Sequence, residues 1–378
     1  MINAVAVVPP GLEPVAAEEL EELGGSAIRV RPQALAFQTD LAGLYRLHLR
    51  ARLPFRILRE LARFPCAGRA DLREGIQRSV DWGRWLPPEL SLRVDVSGQA
   101  PGLNHSHVTA LQVKNAVVEE QMRLRGRRSN VDLSQPDCGL HLHLSHGTAV
   151  LSLDGSCGSL HRRGWRQAVG KAPLKENLAA GLIDLTGWDG SCPLVDPLCG
   201  SGTLLLEAAC RHWGRAAGLL RQSGLQHWAD FDAALWQRER QEAEAMARAI
   251  EPGRPPLIGL DRDPDVLAQA EANAQRAGVA EAISWRAADL EQFVPPRESG
   301  VLVCNPPWGA RLGADDGEAL EKLYDRLGRV VRERCGGWQL WLLSGNAGLT
   351  RALRLKATRR IPVSAGGIDC RWLHYAIR

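Results

Sequence analysis

Hydrophobic positions recur along this chain in two different rhythms. Up to about residue 155, short apolar runs and amphipathic stretches follow one another in no fixed order. From about residue 172, strand-like and helix-like patterns alternate one for one. In the first part, residues 4–8 read as a strand that Pro9-Pro10 ends. Leu12, Val15, Ala16, Leu20 and Leu23 then recur at helical spacing until Gly24-Gly25. Residues 28–30 and 34–37 read as strands and 41–49 as a helix, the β-α-β-β order of a small α+β module. A strand at 56–63, a helix around 72–80, a strand at 90–96 and a helix at 108–123 follow. Residues 140–144 and 148–153 predict a hairpin across Ser145-His146-Gly147.

The second rhythm opens with a helix over 172–185 that carries Pro173 in its first turn, where a missing N–H is tolerated. Strands at 193–195, 257–260, 283–287, 301–304, 339–343 and 372–377 are separated by helices. That alternation predicts a doubly wound α/β domain, with a boundary near Gly170. No internal repeat or low-complexity segment interrupts either part.

Composition then narrows the setting. A chain of 378 residues predicts two or three domains, and 45% hydrophobic with 24% charged residues is that of a globular protein. No run of about 18 apolar residues predicts a membrane span, and the N-terminus lacks the basic region and long apolar core of a signal peptide. Nine cysteines without a C-x-x-C pair argue against zinc and against a disulfide framework, so a reducing, cytoplasmic setting without a metal is expected. His141 and His143 share one face of a strand, but no third ligand stands at matching spacing. A solvent-facing strand edge is their expected place. Charge is uneven: residues 46–170 hold 19 Lys and Arg against 11 Asp and Glu, and the remainder holds 28 against 32. A basic front half beside a mildly acidic back half predicts a polyanion-binding module attached to something else.

Candidate chemistry gathers where strands end. Leu194 to Ala209 reads L-V-D-P-L-C-G-S-G-T-L-L-L-E-A-A, a strand end, a glycine turn and the first turns of a helix. Asp196 stands before the turn, and Gly200 and Gly202 let the backbone approach a ligand. Asp261, in I-G-L-D-R-D, is placed to accept both hydroxyls of a ribose, and Asp289, in R-A-A-D-L, an adenine amino hydrogen. A dinucleotide-binding turn would carry G-x-G-x-x-G with an acid about 20 residues on. Here the turn is C-G-S-G-T, the acid lies 65 positions beyond Asp196, past an insertion over 211–256, and no phosphate-binding lysine is present. A ligand with ribose and adenine but no pyrophosphate fits, which points to S-adenosyl-L-methionine. Asn305-Pro306-Pro307-Trp308 supplies a second site: two carbonyl-type oxygens to accept hydrogens from a planar amino group, a stiff turn, and an aromatic face for a base.

D-P-L-C-G-S-G-T-L-L-L-E-A-A together with N-P-P-W-G-A-R-L-G resembles the THUMP-domain class I RNA methyltransferases that make N2-methylguanosine. The likeness is to the guanine-N2 half of the enzyme acting on 23S ribosomal RNA (RlmL-type). L-H-R-R-G-W-R followed by A-P-L-K-E-N-L-A-A is similar to the family's junction between RNA-binding and catalytic parts. W-A-D-F-D-A-A-L-W-Q is similar to its insertion after the cofactor loop, and G-G-I-D-C-R-W-L-H-Y to its closing strand. The resemblance implies a ferredoxin-like domain over 1–55, a THUMP RNA-binding domain over 56–168 and a Rossmann-like class I methyltransferase domain over 169–378.

It also implies a cofactor site formed by Asp196, Pro197, Cys199, Gly200, Ser201, Gly202, Thr203, Asp261, Asp289 and Asn305. Lys175 and Glu176 would lie near the methionine end, and Asn305, Pro306, Pro307 and Trp308 would hold the guanine. Trp308 replaces the commoner Tyr or Phe. Arg125, Arg127, Arg128, Arg162, Arg163 and Arg166 are candidate phosphate contacts, with His105 and His107 at the border of that surface. The expected partner is 23S ribosomal RNA or a ribosome-assembly intermediate, the expected state a monomer. Three alternatives stand beside this reading: a transfer RNA guanine-N2 methyltransferase, an adenine-N6 nucleic-acid methylase, and a non-catalytic RNA-binding assembly factor.

Overall fold

Strand pairing gathers the chain into two seven-stranded sheets, seen in a computed structural model that describes residues 1–156, 158–166, 174–250, 257–309 and 317–378. One unit comprises Met1–Val8, Leu20–Leu160 and Arg221–Gln241; the other comprises Pro9–Glu19, His161–Leu220 and Glu242–Arg378. Up to residue 160 the elements are β1 (Ile2–Val7), α1 (Glu13–Glu22), β2 (Ser26–Arg31), β3 (Ala34–Thr39), α2 (Leu41–Arg50), β4 (Arg56–Pro65), α3 (Arg69–Ser79), α4 (Trp82–Trp85), β5 (Leu92–Gly98), α5 (Ser106–Arg125), β6 (Cys138–Ser145) and β7 (Thr148–Asp154).

The first sheet has the order β2-β3-β1-β4-β7-β6-β5. β4 pairs with β1 on one side and with β7 on the other, so the sheet is continuous through the whole unit. β6 lies between β7 and β5, to which it pairs in parallel after the α5 crossover. His141 and His143 therefore stand on an interior strand and not at a sheet edge. Burial pushes the His141 imidazole down to about 4, while His143 is exposed and meets the Ser97 hydroxyl at 2.9 Å. Across the same sheet Arg56 bridges Asp95 of β5 at 2.6 Å and the buried Asp154 of β7 at 2.7 Å.

The insertion after the glycine turn supplies part of this first unit. Tyr45 accepts the Asp232 N–H at 2.9 Å, and its ring meets Phe231 and Trp236. Arg46 pairs with the buried Glu239 at 3.0 Å. Arg59 pairs with Asp230 at 2.8 Å and lies over the rings of Trp85 and Trp228. The aromatic spacing of W-A-D-F-D-A-A-L-W thus reflects packing onto α2 and β4.

From residue 161 the elements are α6 (Glu176–Thr186), β8 (Leu194–Asp196), α7 (Thr203–His212), α8 (Ala233–Ala245), β9 (Leu257–Asp261), α9 (Pro264–Arg276), β10 (Ile283–Ala287), β11 (Val301–Cys304), α10 (Gly317–Arg334), β12 (Gln339–Ser344), α11 (Ala347–Ala352), β13 (Arg359–Ala365) and β14 (Ile368–Ala376). The second sheet runs β10-β9-β8-β11-β12-β14-β13, its first five strands parallel and its last two antiparallel. The chain leaves β8 toward β9 and β10, then returns to β8's other side as β11. The carboxyl ends of β8 and β11 therefore flank the switch point, where an open α/β sheet leaves a crevice. Continuous apolar runs such as Val301–Cys304 are buried on both faces, as parallel strands require. Leu320, Tyr324, Leu327 and Val331 of α10 cover one of them.

β13 was not expected from the sequence. Pro362 and the Arg359-Arg360 pair mask it, and both are tolerated because β13 is an edge strand. Gly366 and Gly367, both left-handed, turn it into β14 and were the available hairpin signal. The expected helix start at Ala172-Pro173, the boundary at Gly170 and the end of the insertion lie outside the described residues; the described helix begins at Glu176. No described helix is long and apolar enough to cross a membrane.

Arg56→Met should lower unfolding stability by about 3–5 kcal/mol, because it leaves the Asp154 carboxylate buried without its cation. Urea denaturation of the full chain measures this, and adding Asp154→Asn should recover part of the loss.

Candidate active site

The glycine turn is built by backbone geometry. Gly200 and Gly202 adopt left-handed φ values of +52° and +77°, which favour glycine. The Cys199 N–H donates to Leu260 of β9 at 2.9 Å, and the Gly202 N–H closes the turn on the Cys199 carbonyl at 2.9 Å. A Cβ on Gly202 would sit 2.5 Å from the Trp285 ring and 3.3 Å from Ala270, so a bare backbone is needed where α7 meets β10 and α9. Gly200 has no atom within 4 Å of that position, which leaves it open to a ligand. Pro197, Cys199 and Thr203 are buried and Ser201 is half-buried.

Two carboxylates frame this turn. Asp261 ends β9, takes the Gly200 N–H at 3.0 Å on Oδ2 and the Asp263 N–H at 3.1 Å on Oδ1. Asp196 ends β8, is 2% exposed and takes the Leu198 N–H at 3.1 Å. Burial pushes its carboxyl up to about 8, with the negative charge of Asp261 adding to the effect against the Leu198 bond. No described Lys or Arg pairs with it. An acid at the mouth of a crevice that lacks a cation is a mark of a ligand site.

Asp289 follows β10, and its surroundings differ. Its Oδ1 takes the Glu291 N–H at 3.0 Å and contacts Arg326 of α10; that guanidinium is the main cause of a lowered carboxyl pKa. Asp289 remains 40% exposed in the side chain. Arg326 was not expected, and nothing in the local sequence around Asp289 announces it.

Across the switch point, β11 delivers the second motif. Val301 and Leu302 pair in register with Leu194 and Val195, which places Asn305 just beyond the level of Asp196. Asn305 and Trp308 are half-buried, Pro306 is buried and Pro307 exposed. The Trp308 ring lies against Gly345, where an added Cβ would fall 2.9 Å from ring atoms Cε3 and Cζ3. Gly345 is a further candidate for this site that the sequence reading missed; S-G-N after a strand was its only signal. The fold thus brings Asp196, Gly200, Asp261 and Asn305 to neighbouring strand ends, with Asp289 one strand further out.

The arginines separate into two groups. Arg125, Arg127 and Arg128, at the end of α5 and just past it, are exposed, and Arg127 pairs with Glu89 at 3.0 Å. Arg162 is exposed, as are His105 and His107. Arg163 and Arg166 do not fit the phosphate contacts expected of them. Arg163 is 3% exposed and its Nε donates to the buried Glu207 at 3.1 Å. Arg166 lies 3.0 Å from Glu176 and donates to the Thr203 hydroxyl at 2.8 Å. Both face inward because the apolar residues between and around them, Leu160 and Trp165, are buried. Lys175 caps α6 and is exposed; Glu176, its first residue, is buried, which raises its carboxyl pKa. The stretch 310–313 of the second motif lies outside the described residues.

Comparisons with known proteins accord with this arrangement. The model of a family described as RMKL-like, methyltransferase domain, matches residues 163–374. An RlmL ferredoxin-like domain matches residues 3–58 and a THUMP domain residues 71–154. The chain is 42% identical over 374 residues to slr0064 of Synechocystis sp. strain PCC 6803, described as a candidate RNA methyltransferase; the match covers 98% of this chain and 96% of that one. SMU.472, described as a candidate methyltransferase and solved in complex with SAH, has a TM-score of 0.87 at 26% identity over 100% of this chain and 98% of its own. A protein of Listeria monocytogenes str. 4b F2365, described as a predicted N6-adenine-specific DNA methylase, has a TM-score of 0.87 at 29% identity over 100% and 96%.

Asp196 gives a pH signature. A carboxyl held near 8 when folded and near 3.8 when unfolded binds its proton more tightly in the native state. Its contribution to stability is therefore present below about pH 4 and lost as pH rises toward 8. The melting temperature of the ligand-free protein should fall across that window, and Asp196→Asn should flatten the fall in a thermal-shift series.

Proposed function

This chain belongs to the RMKL-like methyltransferase family, and on that premise we propose that it methylates the exocyclic N2 amine of a guanine in 23S ribosomal RNA. At the coarser level it is an S-adenosylmethionine-dependent RNA methyltransferase that carries a THUMP domain. The observation that supports methylation of an exocyclic amine is the juxtaposition, at one switch point, of the cation-free Asp196 carboxyl with Asn305-Pro306.

The described residues suit the cofactor. Asp196 would hold the cofactor's ammonium, a cation that removes the cost of a buried negative charge. Asp261 keeps lone pairs free for ribose hydroxyls, since each oxygen carries one backbone donor. Asp289 is exposed enough to accept an adenine amino hydrogen while Arg326 keeps it ionised. The backbone at Gly200 and Ser201 leaves room for the ligand, and Lys175 and Glu176 are assigned to its methionine end. When bound, S-adenosylmethionine supplies an electrophilic methyl on a sulfonium.

On the target side, the Asn305 side-chain oxygen and the Pro306 carbonyl accept the two hydrogens of the amine. That builds electron density on nitrogen and aims its lone pair at the methyl. No general base is needed before attack, because the amine loses its proton after the methyl arrives. Trp308, fixed against Gly345, offers its ring to the base, and the guanine must be unpaired, since pairing locks N2. Arg125, Arg127 and Arg128 are assigned to RNA phosphates. We divide the chain into a ferredoxin-like domain over 1–55, a THUMP domain over 56–168 and the methyltransferase domain over 169–378, in a monomer.

N-P-P-W would also accept the N6 amine of adenine, and the Listeria relative's description keeps that second reading in play. An assay with labelled S-adenosylmethionine on protein-free 23S RNA, bulk transfer RNA and DNA, with product nucleosides identified by mass, tests both. N2-methylguanosine from 23S RNA is the expected product. The same nucleoside from transfer RNA would move the substrate, and N6-methyladenine would overturn the base.

Asn305→Ala should reduce turnover by at least about a hundredfold, the size of a lost transition-state acceptor, while leaving cofactor affinity within a few-fold. Full activity in that variant would refute the amine-holding role. Arg127→Glu with Arg128→Glu should weaken RNA binding and flatten its salt dependence, and leave cofactor affinity unchanged. Filter binding at two salt concentrations and calorimetry measure the two halves of that statement.

A further inference from the structure

Arg163 and Arg166 belong to neither the solvent-exposed arginines nor the residues assigned to the cofactor, yet both are enclosed beside the glycine turn. Both grip α7, the helix that the turn leads into. Arg163 Nε donates to Glu207 Oε1 at 3.1 Å, with side-chain exposures of 2% and 1%. Arg166 Nη2 donates to Thr203 Oγ1 at 2.8 Å and to the Leu174 carbonyl at 3.2 Å, while its Nε stands 3.0 Å from Glu176 Oε1. Thr203 and Glu207 are four residues apart, so they share one face of α7, and Thr203 is the residue immediately after Gly202.

The segment that carries these arginines is itself held. Trp165, between them, is 3% exposed, and its carbonyl accepts from Arg276 of α9 at 2.6 Å. Gly164 adopts φ +93°, and a Cβ there would fall 2.7 Å from the Leu220 carbonyl oxygen. The Trp285 ring and Ala270 close on Gly202. The first turn of α7 thus has a rigid wall at Gly202 and two charged grips along one face. α7 has no side-chain cap of its own at its N-terminus, so these outside contacts fix where its first amides point.

We propose that Arg163 and Arg166 are positioning residues that set the axial and rotational placement of α7, and through it the shape of the Gly200–Gly202 turn for the cofactor. The role rests on the proposed use of that turn as the cofactor site. Arg166 acts directly on the residue that ends the turn; Arg163 fixes the helix one turn later. Neither touches phosphate, so their loss is read in cofactor affinity and not in RNA affinity.

The test uses the full chain and S-adenosylhomocysteine as the probe, with calorimetry on the wild type, Arg166→Met, Arg166→Lys, Thr203→Val and the Arg166→Met/Thr203→Val pair. Arg166→Met should weaken binding by about tenfold or more, the size of one lost charge-assisted hydrogen bond. Arg166→Lys should fall between it and the wild type. The double variant should be no weaker than Arg166→Met alone, because Arg166→Met already removes the contact that Thr203→Val removes. RNA affinity and its salt slope should stay at wild-type values. Should Arg166→Met fail to fold, Arg166→Lys and Thr203→Val carry the same comparison.

Binding of S-adenosylhomocysteine within twofold of wild type in these variants would overturn the proposal. So would a lost RNA affinity with a salt slope reduced by about 0.7–0.9, which would make Arg166 a phosphate contact. Failure of the wild type to bind S-adenosylhomocysteine would instead sink the cofactor reading on which the proposal rests.

Discussion

A carboxyl buried at the end of β8 with no described cation beside it is the constraint to which the rest of the second unit answers. Asp196 is enclosed by the glycine turn above it and by β9 and β11 beside it, and Asp261 is near enough to raise its pKa further. A protein built for stability alone would place an apolar residue there, or bring an arginine to it. Arginines are not scarce in this unit; they are engaged elsewhere, with Glu207, Glu176, Asp289 and Glu291. The end of β8 therefore carries an acid without a described cationic partner, beside a turn whose glycines leave the backbone bare.

Much of this was legible because it depends on local backbone rules. C-G-S-G-T can turn as it does only with glycine at left-handed positions, and a strand end followed by Asn-Pro-Pro cannot continue a sheet. β9, β11 and β12 announced themselves as continuous apolar runs. What escaped was whatever depends on partners distant in sequence. Whether Arg166 points to water or to Thr203 is decided by the burial of Trp165 and Leu160, not by the arginine or its neighbours in L-H-R-R-G-W-R. Arg326 reaches Asp289 from 37 positions away, and Gly345 matters only because Trp308 lies on it. The histidines of β6 were misplaced for the same reason: nothing in a hairpin pattern tells that β5 will pair on its far side.

The basic first half likewise mixes two populations that composition cannot sort. Arg46, Arg56 and Arg59 are engaged with buried or half-buried acids, while Arg125, Arg127 and Arg128 stand at a helix end, exposed. The net charge advertises a polyanion partner correctly, in keeping with the THUMP match, but the count overstates how many cations are available to it. Only placement separates the arginines engaged with buried acids from those that stand exposed.

The membership of Arg221–Gln241 in the first unit bears on how the molecule comes to exist. Tyr45, Arg46 and Arg59 must wait for Asp232, Glu239 and Asp230, partners more than 170 residues downstream. During synthesis from the N-terminus, the RNA-binding half cannot close its own packing until much of the next domain has left the ribosome. Closure over such separations is slow and leaves the ring of Tyr45 without Phe231 and Trp236 in the interim. Completion of the first unit thus waits on a segment that is made only after residue 220.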